Sequence, residues 1–291
     1  MASFFARFNG RNEAVAVAAP RDVSLELSGP ALASALQALL SSCEEDGGIE
    51  RYVEALKFKS GLFRDAFKNR GEDLTADNFT KLCMFMPTVR RRIGEYVEDD
   101  AYPALQAAFK GLFAPGDVNA RIVAFESKFP TGKKFRWVRD LAAEILHNTD
   151  PELYPIMTRW VWDLKANSGV IREIWHGDNV DNIRLDVPDE YETFIKLRED
   201  LSGYLTQNGV FTDVLHYVDL LCAQVYAGYI ASQGGTFLKA DFAAKQDPII
   251  FTRRLLGLDG VQAKSNRKIP ASVIDGEARS VESIMRLNGS S

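Results

Sequence analysis

The 291-residue chain has few of the residues on which small catalytic and metal-binding motifs are usually built: three cysteines, three histidines, five methionines and four tryptophans. Cys43, Cys83 and Cys222 stand far apart, and an odd number without CxxC spacing excludes both a disulfide framework and a thiolate zinc site. They are expected as buried, small apolar side chains in a reducing cytosol. An excess of basic residues is also missing. Lys and Arg number 35 against 40 Asp and Glu, a net charge of -5, so the chain as a whole is no electrostatic nucleic-acid binder, although a local basic face is compatible with that balance.

Phosphate-binding and hydrolase loops are absent too. "SKFPTGKK" places Ser127 where a Walker A loop needs Gly and Lys134 where it needs Ser or Thr. No GxGxxG follows a strand pattern, and no GxSxG elbow occurs. The opening "MASFFARFNGRNEAVAVAAPRD" is broken by Asn9, Arg11, Asn12 and Glu13 before an apolar run of leader length develops. The most apolar stretch, "VLHYVDLLCAQVYAGYIASQGG", contains His216, Asp219 and Gln224. A mid-bilayer charge costs about 2.5–3.5 kcal/mol on insertion scales, so this stretch is expected as a buried core helix and the chain as cytoplasmic. No repeat of fixed period and no low-complexity tract is visible.

What is present is ordinary globular composition, 46% hydrophobic and 26% charged, arranged mostly at helical spacing. Leu32, Leu36, Leu39 and Leu40 follow Ser28-Gly29-Pro30 and end at Gly47-Gly48. Thr75 is placed to cap a helix holding Phe79, Leu82 and Cys83, which Pro87 stops. Further helices are expected over "PTVRRRIGEYV", "AYPALQAAFKGLF", "DVNARIVAFESKF", "TGKKFRWVRDLAAEILHNTD", "IMTRWVWDLKAN", and near 189–207 and 212–233. Alternation of Val23, Leu25 and Leu27 suits an extended piece near 22–27, and "NIRLDV" a second near 182–187. The expected fold class is all-α: a compact multi-helix domain over 29–275, a peripheral N-terminal arm over 1–28, and a mobile tail over 276–291.

Each histidine has a carboxylate three residues before it: Glu144 with His147, Glu173 with His176, Asp213 with His216. Positions i and i+3 share a helix face, and carboxylate-imidazole sets of this kind hold iron or manganese in helix bundles. These six are the candidate metal ligands. Against that, the two ExxH copies lie only 29 residues apart, barely room for one intervening helix, and the second abuts "HGDN", a turn. The competing reading makes them helix-end residues, with His147 favouring a helix C-terminus as a cation. "WHGDNVDN" lacks the DxDxDG rhythm of a calcium loop and reads as an Asx-rich turn. Asp219, inside the most apolar helix, needs a partner if buried.

Candidate partner-binding residues come from two places. Phe4, Phe5 and Phe8 put aromatic area on a segment that otherwise looks peripheral, with Phe4 and Phe8 at i and i+4. Arg136 and Trp137 lie in "KKFRWVR", which with "VRRRI" at 89–93 mixes cations with apolar or aromatic residues. The joint "EILHNTDPELYPIMTRWVWD", residues 144–163, resembles the helix–turn–helix joint of the helix-hairpin-helix DNA glycosylase superfamily. Met157 occupies the place of that family's catalytic Asp and no LxGxG hairpin precedes it, so glycosylase activity is not carried over. Read on its own residues, Asp150 caps the turn, Pro151 and Pro155 stop and restart helices, and Tyr154, Trp160 and Trp162 supply packing area. The leading expectation is an accessory protein without a cofactor, acting through another protein chain, with its N-terminal arm as the candidate docking segment and with no membrane contact. The alternatives are a metal-dependent carboxylate/His enzyme and a helical nucleic-acid-binding protein.

Overall fold

A computed structural model describes residues 23–44, 47–177, 180–233 and 248–259. The calls on Phe4, Phe5, Phe8, Asp178, Asn179 and the tail over 276–291 lie outside these residues. Ten α-helices are described: α1 Gly29–Glu44, α2 Glu50–Ala66, α3 Ala76–Cys83, α4 Tyr102–Leu112, α5 Val118–Glu126, α6 Trp137–Thr149, α7 Val170–Glu173, α8 Tyr191–Gln207, α9 Val214–Gln233 and α10 Pro248–Leu255. No strand occurs among the described residues, only the isolated bridges Leu27–Trp175 and Asp163–Ser168. The fold is all-α.

Local chemistry explains most of the boundaries. Leu32, Leu36, Leu39 and Cys43 form one buried stripe along α1. The Thr75 hydroxyl accepts from the Asn78 N–H at 3.3 Å, and the Asp117 carboxylate accepts from Ala120 N–H at 2.7 Å, so α3 and α5 begin on side-chain caps. Pro103 starts α4, where its missing N–H costs no hydrogen bond.

Two layers share the core. On one side, Phe67, Phe79, Phe109, Phe125 and Phe129 stack ring on ring among α2–α5. On the other, α9 touches α1, α2, α7, α8 and α10. That helix is long and apolar enough to cross a membrane by composition, with mean hydropathy 1.2 over Val214–Ser232, and half of that window is covered by the rest of the chain. Between the layers lies α6, packed against α2 and α5.

Extended chain appears at both expected places. Val23, Leu25 and Leu27 are half-buried while Ser24 and Glu26 are exposed. The segment is pinned by Ser28 N–H to Ile174 O and His176 N–H to Glu26 O, both 2.7 Å. Leu185 and Val187 turn inward beside the exposed Arg184 and Asp186 without joining a ladder.

Two helix expectations fail. "PTVRRRIGEYV" is a run of turns with one 3₁₀ turn at Gly94–Tyr96. "IMTRWVWDLKAN" is irregular, and after α6 no helix restarts until Val170. The reason is that its backbone is satisfied by side chains, turns and a neighbouring chain segment instead of a helical ladder. Asp140 accepts from Arg159 N–H at 2.9 Å, Asp163 from Ala166 N–H at 3.0 Å, and the carbonyls of Trp160 and Val161 accept from Val170 and Ile171 at 3.1 and 3.2 Å. Gly169, at φ +128°, lets this chain crossing close: a Cβ there would stand 2.6 Å from the Val161 carbonyl oxygen. Trp160 and Trp162 are both buried, Trp160 against the Tyr226 ring at 6.0 Å, and Trp162 Nε1 donates to Val187 O at 2.8 Å.

Candidate functional site

The chemistry-bearing side chains concentrate on α6. Its apolar stripe is buried as expected, but so is the side that carries Asp140, Glu144, His147 and Asn148. Positions i, i+4, i+7 and i+8 form one polar stripe, and every member of it must find a partner within the fold.

Glu144, 2% exposed, receives Lys59 Nζ from α2 at 3.2 Å and Asn148 Nδ2 from its own helix at 2.9 Å. Lys59 is itself 3% exposed and donates a second bond to Leu256 O, just beyond α10, at 2.9 Å. One ion pair thus ties α2, α6 and the chain end after α10 together.

His147 is turned the other way. Its Nδ1 lies 2.9 Å from the Tyr154 carbonyl and its Nε2 3.1 Å from Asp219 Oδ2 on α9. A carbonyl and a carboxylate both accept, so this geometry favours the ring protonated on both nitrogens. Burial works against that charge, but the Asp219 carboxylate, its hydrogen bond and the Tyr154 carbonyl outweigh it and hold the pKa above the ordinary histidine value. His216, one turn before Asp219, goes the opposite way: burial outweighs the nearby carboxylates and lowers its pKa, and its Nδ1 is buried without a hydrogen-bond partner.

At the start of the stripe, burial raises the pKa of Asp140 although Arg159 faces it with Nε at 3.1 Å and Nη2 at 2.7 Å. Arg136 pairs with Asp163 in the same joint.

The six candidate ligands are therefore dispersed as well as gathered. Glu144 and His147 sit on one turn yet serve different partners. Asp213 leaves its histidine and pairs with Lys57 on α2 at 2.8 Å. His176 is exposed beyond the end of the four-residue α7, in the extended pairing with Glu26, far from the α6 stripe in connectivity. Among the described residues no group of three or more His, Cys, Asp or Glu side chains could hold a metal ion. Of the candidate partner-binding residues, Trp137 is buried against Tyr96 and Phe129, at 5.5 and 6.1 Å between ring centroids. All three cysteines are free and buried, and burial pushes the Cys83 and Cys222 thiols up, away from reactivity.

No family model, curated protein or solved structure matches this chain.

The void beside the His147–Asp219 pair, lined also by Pro155, Phe194, Leu215 and Cys222, measures ≈ 10 Å³. That is about the room of a single water and far below a substrate. Lys59, Arg159 and Asp163 are the members of this network that the sequence patterns did not single out, and the sequence marks Tyr154 for packing area alone. A faint signal existed: four polar residues at one helical face inside an apolar helix require compensating charges elsewhere. Which of the 35 Lys and Arg supply them is a tertiary matter.

Proposed function

We propose that this chain is an interaction protein that works by contact with another protein chain, and that its ionic centre serves the fold instead of a reaction. One observation carries this reading. Glu144, His147 and Asp219, enclosed side chains suited to proton transfer or metal binding, are each answered by a partner inside the molecule, and the adjoining void of ≈ 10 Å³ admits no substrate. Catalytic acids and bases need access to a reacting group within hydrogen-bond reach. Exposed apolar side chains such as Phe211, 74% exposed on the turn between α8 and α9, and Leu153 on the joint after α6, offer contact area at the surface. Phe4, Phe5 and Phe8 are the further contact candidates that the sequence supplies.

The test is site-specific photo-crosslinking with benzoyl-phenylalanine at Phe4, Phe8, Val123, Leu153 and Phe211 of the full chain in its native cells. The expected result is one protein adduct of defined mass from a contiguous subset of positions and none from the others. Deleting residues 1–10 should leave the melting temperature unchanged while removing the adducts that depend on the arm. Equal, diffuse labelling at every position, or none at any, overturns the reading.

A further inference from the structure

The two basic stretches, "VRRRI" and "KKFRWVR", lie more than forty residues apart in sequence and meet in space. Arg92 Nη1 donates to the Lys134 carbonyl at 3.3 Å. Beneath them the Tyr96 ring rests 5.2 Å from Phe129 and 5.5 Å from Trp137, while Val89 and Ile93 are buried, so both segments are anchored to one aromatic wedge.

The fold sorts the cations of these stretches into two sets. Arg90 turns to Asp259 with two bonds of 3.0 Å, Arg136 to Asp163, and Arg139 to the Asp189 carbonyl. Those three are consumed by the structure. Arg91, Arg92, Lys133 and Lys134 are exposed, and none of them pairs with a carboxylate among the described residues. A concentration of unpaired positive charge on a chain of net charge -5 is a local field with its own direction.

The size of this face selects the partner. Glu95, Glu98, Asp99 and Asp100, all exposed, follow Arg92 directly in the sequence, so the run of positive charge is short and gives way to negative charge. A long polyanion such as a nucleic-acid strand would run from the patch into repulsion. A short cluster of carboxylates would not, and Arg and Lys together suit it, Arg through its planar fork and Lys as a mobile point charge. We propose that the face formed by Arg91, Arg92, Lys133 and Lys134 docks an acidic segment of a partner protein. This deepens the interaction reading above and rests on it for the existence of a partner.

The experiment is fluorescence anisotropy with the full chain and two labelled probes of equal charge, a Glu/Asp-rich peptide and an oligodeoxythymidine, at low and at raised salt. The peptide should bind more tightly than the oligonucleotide, and more weakly as salt screens the charges. R91E/R92E/K133E/K134E should weaken peptide binding by at least about tenfold, in keeping with several exposed ion pairs lost together. The milder R91Q/R92Q/K133Q/K134Q should weaken it less. Far-UV circular dichroism reports folding of each variant, and K68E/K165E, which changes exposed lysines elsewhere, should bind as the parent does.

Peptide binding unchanged in both quadruple variants overturns the proposal, as does an equal loss in K68E/K165E. Tighter binding of the oligonucleotide overturns it in favour of a nucleic-acid surface. Benzoyl-phenylalanine at position 92 or 134 separates the two readings. Adducts from Phe211 or Leu153 but none from 92 or 134 leave the interaction reading standing and sink the acidic-segment proposal.

Discussion

Phe67, Phe79, Phe109, Phe125 and Phe129 pack ring against ring among α2–α5, alongside buried leucines, while beside α6 buried space also goes to Lys59, Glu144, His147, Asn148 and Asp219. The first region gains from each ring almost independently, through area and edge-to-face contact. In the second, each ion is worth having only while its partner is present, because an unpaired buried charge costs more than the pair returns. Apolar packing degrades gradually; the ionic centre fails by pairs. It also specifies more, since Lys59 can satisfy Glu144 and Leu256 O together in one arrangement of α2, α6 and the end of α10.

Breaking one ion of the centre should have the largest effect. Lys59→Met leaves the Glu144 carboxylate buried with Asn148 alone, and should cost about 3–5 kcal/mol in urea unfolding. Lys59→Met/Glu144→Leu should recover most of that loss. A double variant as unstable as the sum of the two singles would mean that the pair is not coupled. On the aromatic side, Phe109→Ala should cost a similar amount, about 3–5 kcal/mol, and adding Phe79→Ala should only deepen the loss.

An intermediate effect separates the two histidines by pH. His147 has a raised folded pKa, so its contribution is fully present below the unfolded value of about 6.5 and is lost as pH rises through the folded value. His216 has a lowered one, so its contribution is present above about 6.5 and is lost as pH falls through its folded value. Together they should give a stability maximum near that pH. His147→Gln should flatten the alkaline limb and His216→Gln the acid limb, read as melting temperature across the pH range. Aromatic-side variants should shift the whole curve without changing its shape.

The smallest effect should come from Lys57→Met. Its pair with Asp213 ties α2 to the turn before α9 but stands in solvent, where screening and side-chain entropy cancel most of the attraction. The melting temperature should be nearly unchanged and should respond little to salt. A loss comparable to that of Lys59→Met would erase the distinction between inner and outer pairs.

Much of the aromatic side was legible from spacing. Phe79, Leu82 and Cys83 after a Thr75 cap describe a helix that buries one stripe, and that is where α3 lies. α8 and α9 fall within two residues of the expected 189–207 and 212–233. The ionic side was half legible: Asp219 announced that it needed a partner, but that the partner is His147 from α6 was not written in the local pattern. Glu144 and His147 are adjacent on α6 and read as one pair, yet neighbours on a helix face separate as soon as different elements pack beside them. The stretch over 156–167 carries helix-like spacing and is no helix, because Asp140, Asp163 and the chain after Gly169 supply its hydrogen bonds.

The sequence by itself determined the fold class, most helix boundaries, the burial of the cysteines and the absence of the common phosphate and hydrolase loops. Those features depend on local periodicity, caps and motif spacing, which residues a few positions apart decide among themselves. Only the tertiary structure decided which ion meets which, that the polar stripe of α6 is enclosed, and that Arg91 and Arg92 share a face with Lys133 and Lys134. Pairing of charges is a property of distance in space, and a side chain cannot be assigned a partner until packing has chosen which elements stand next to one another.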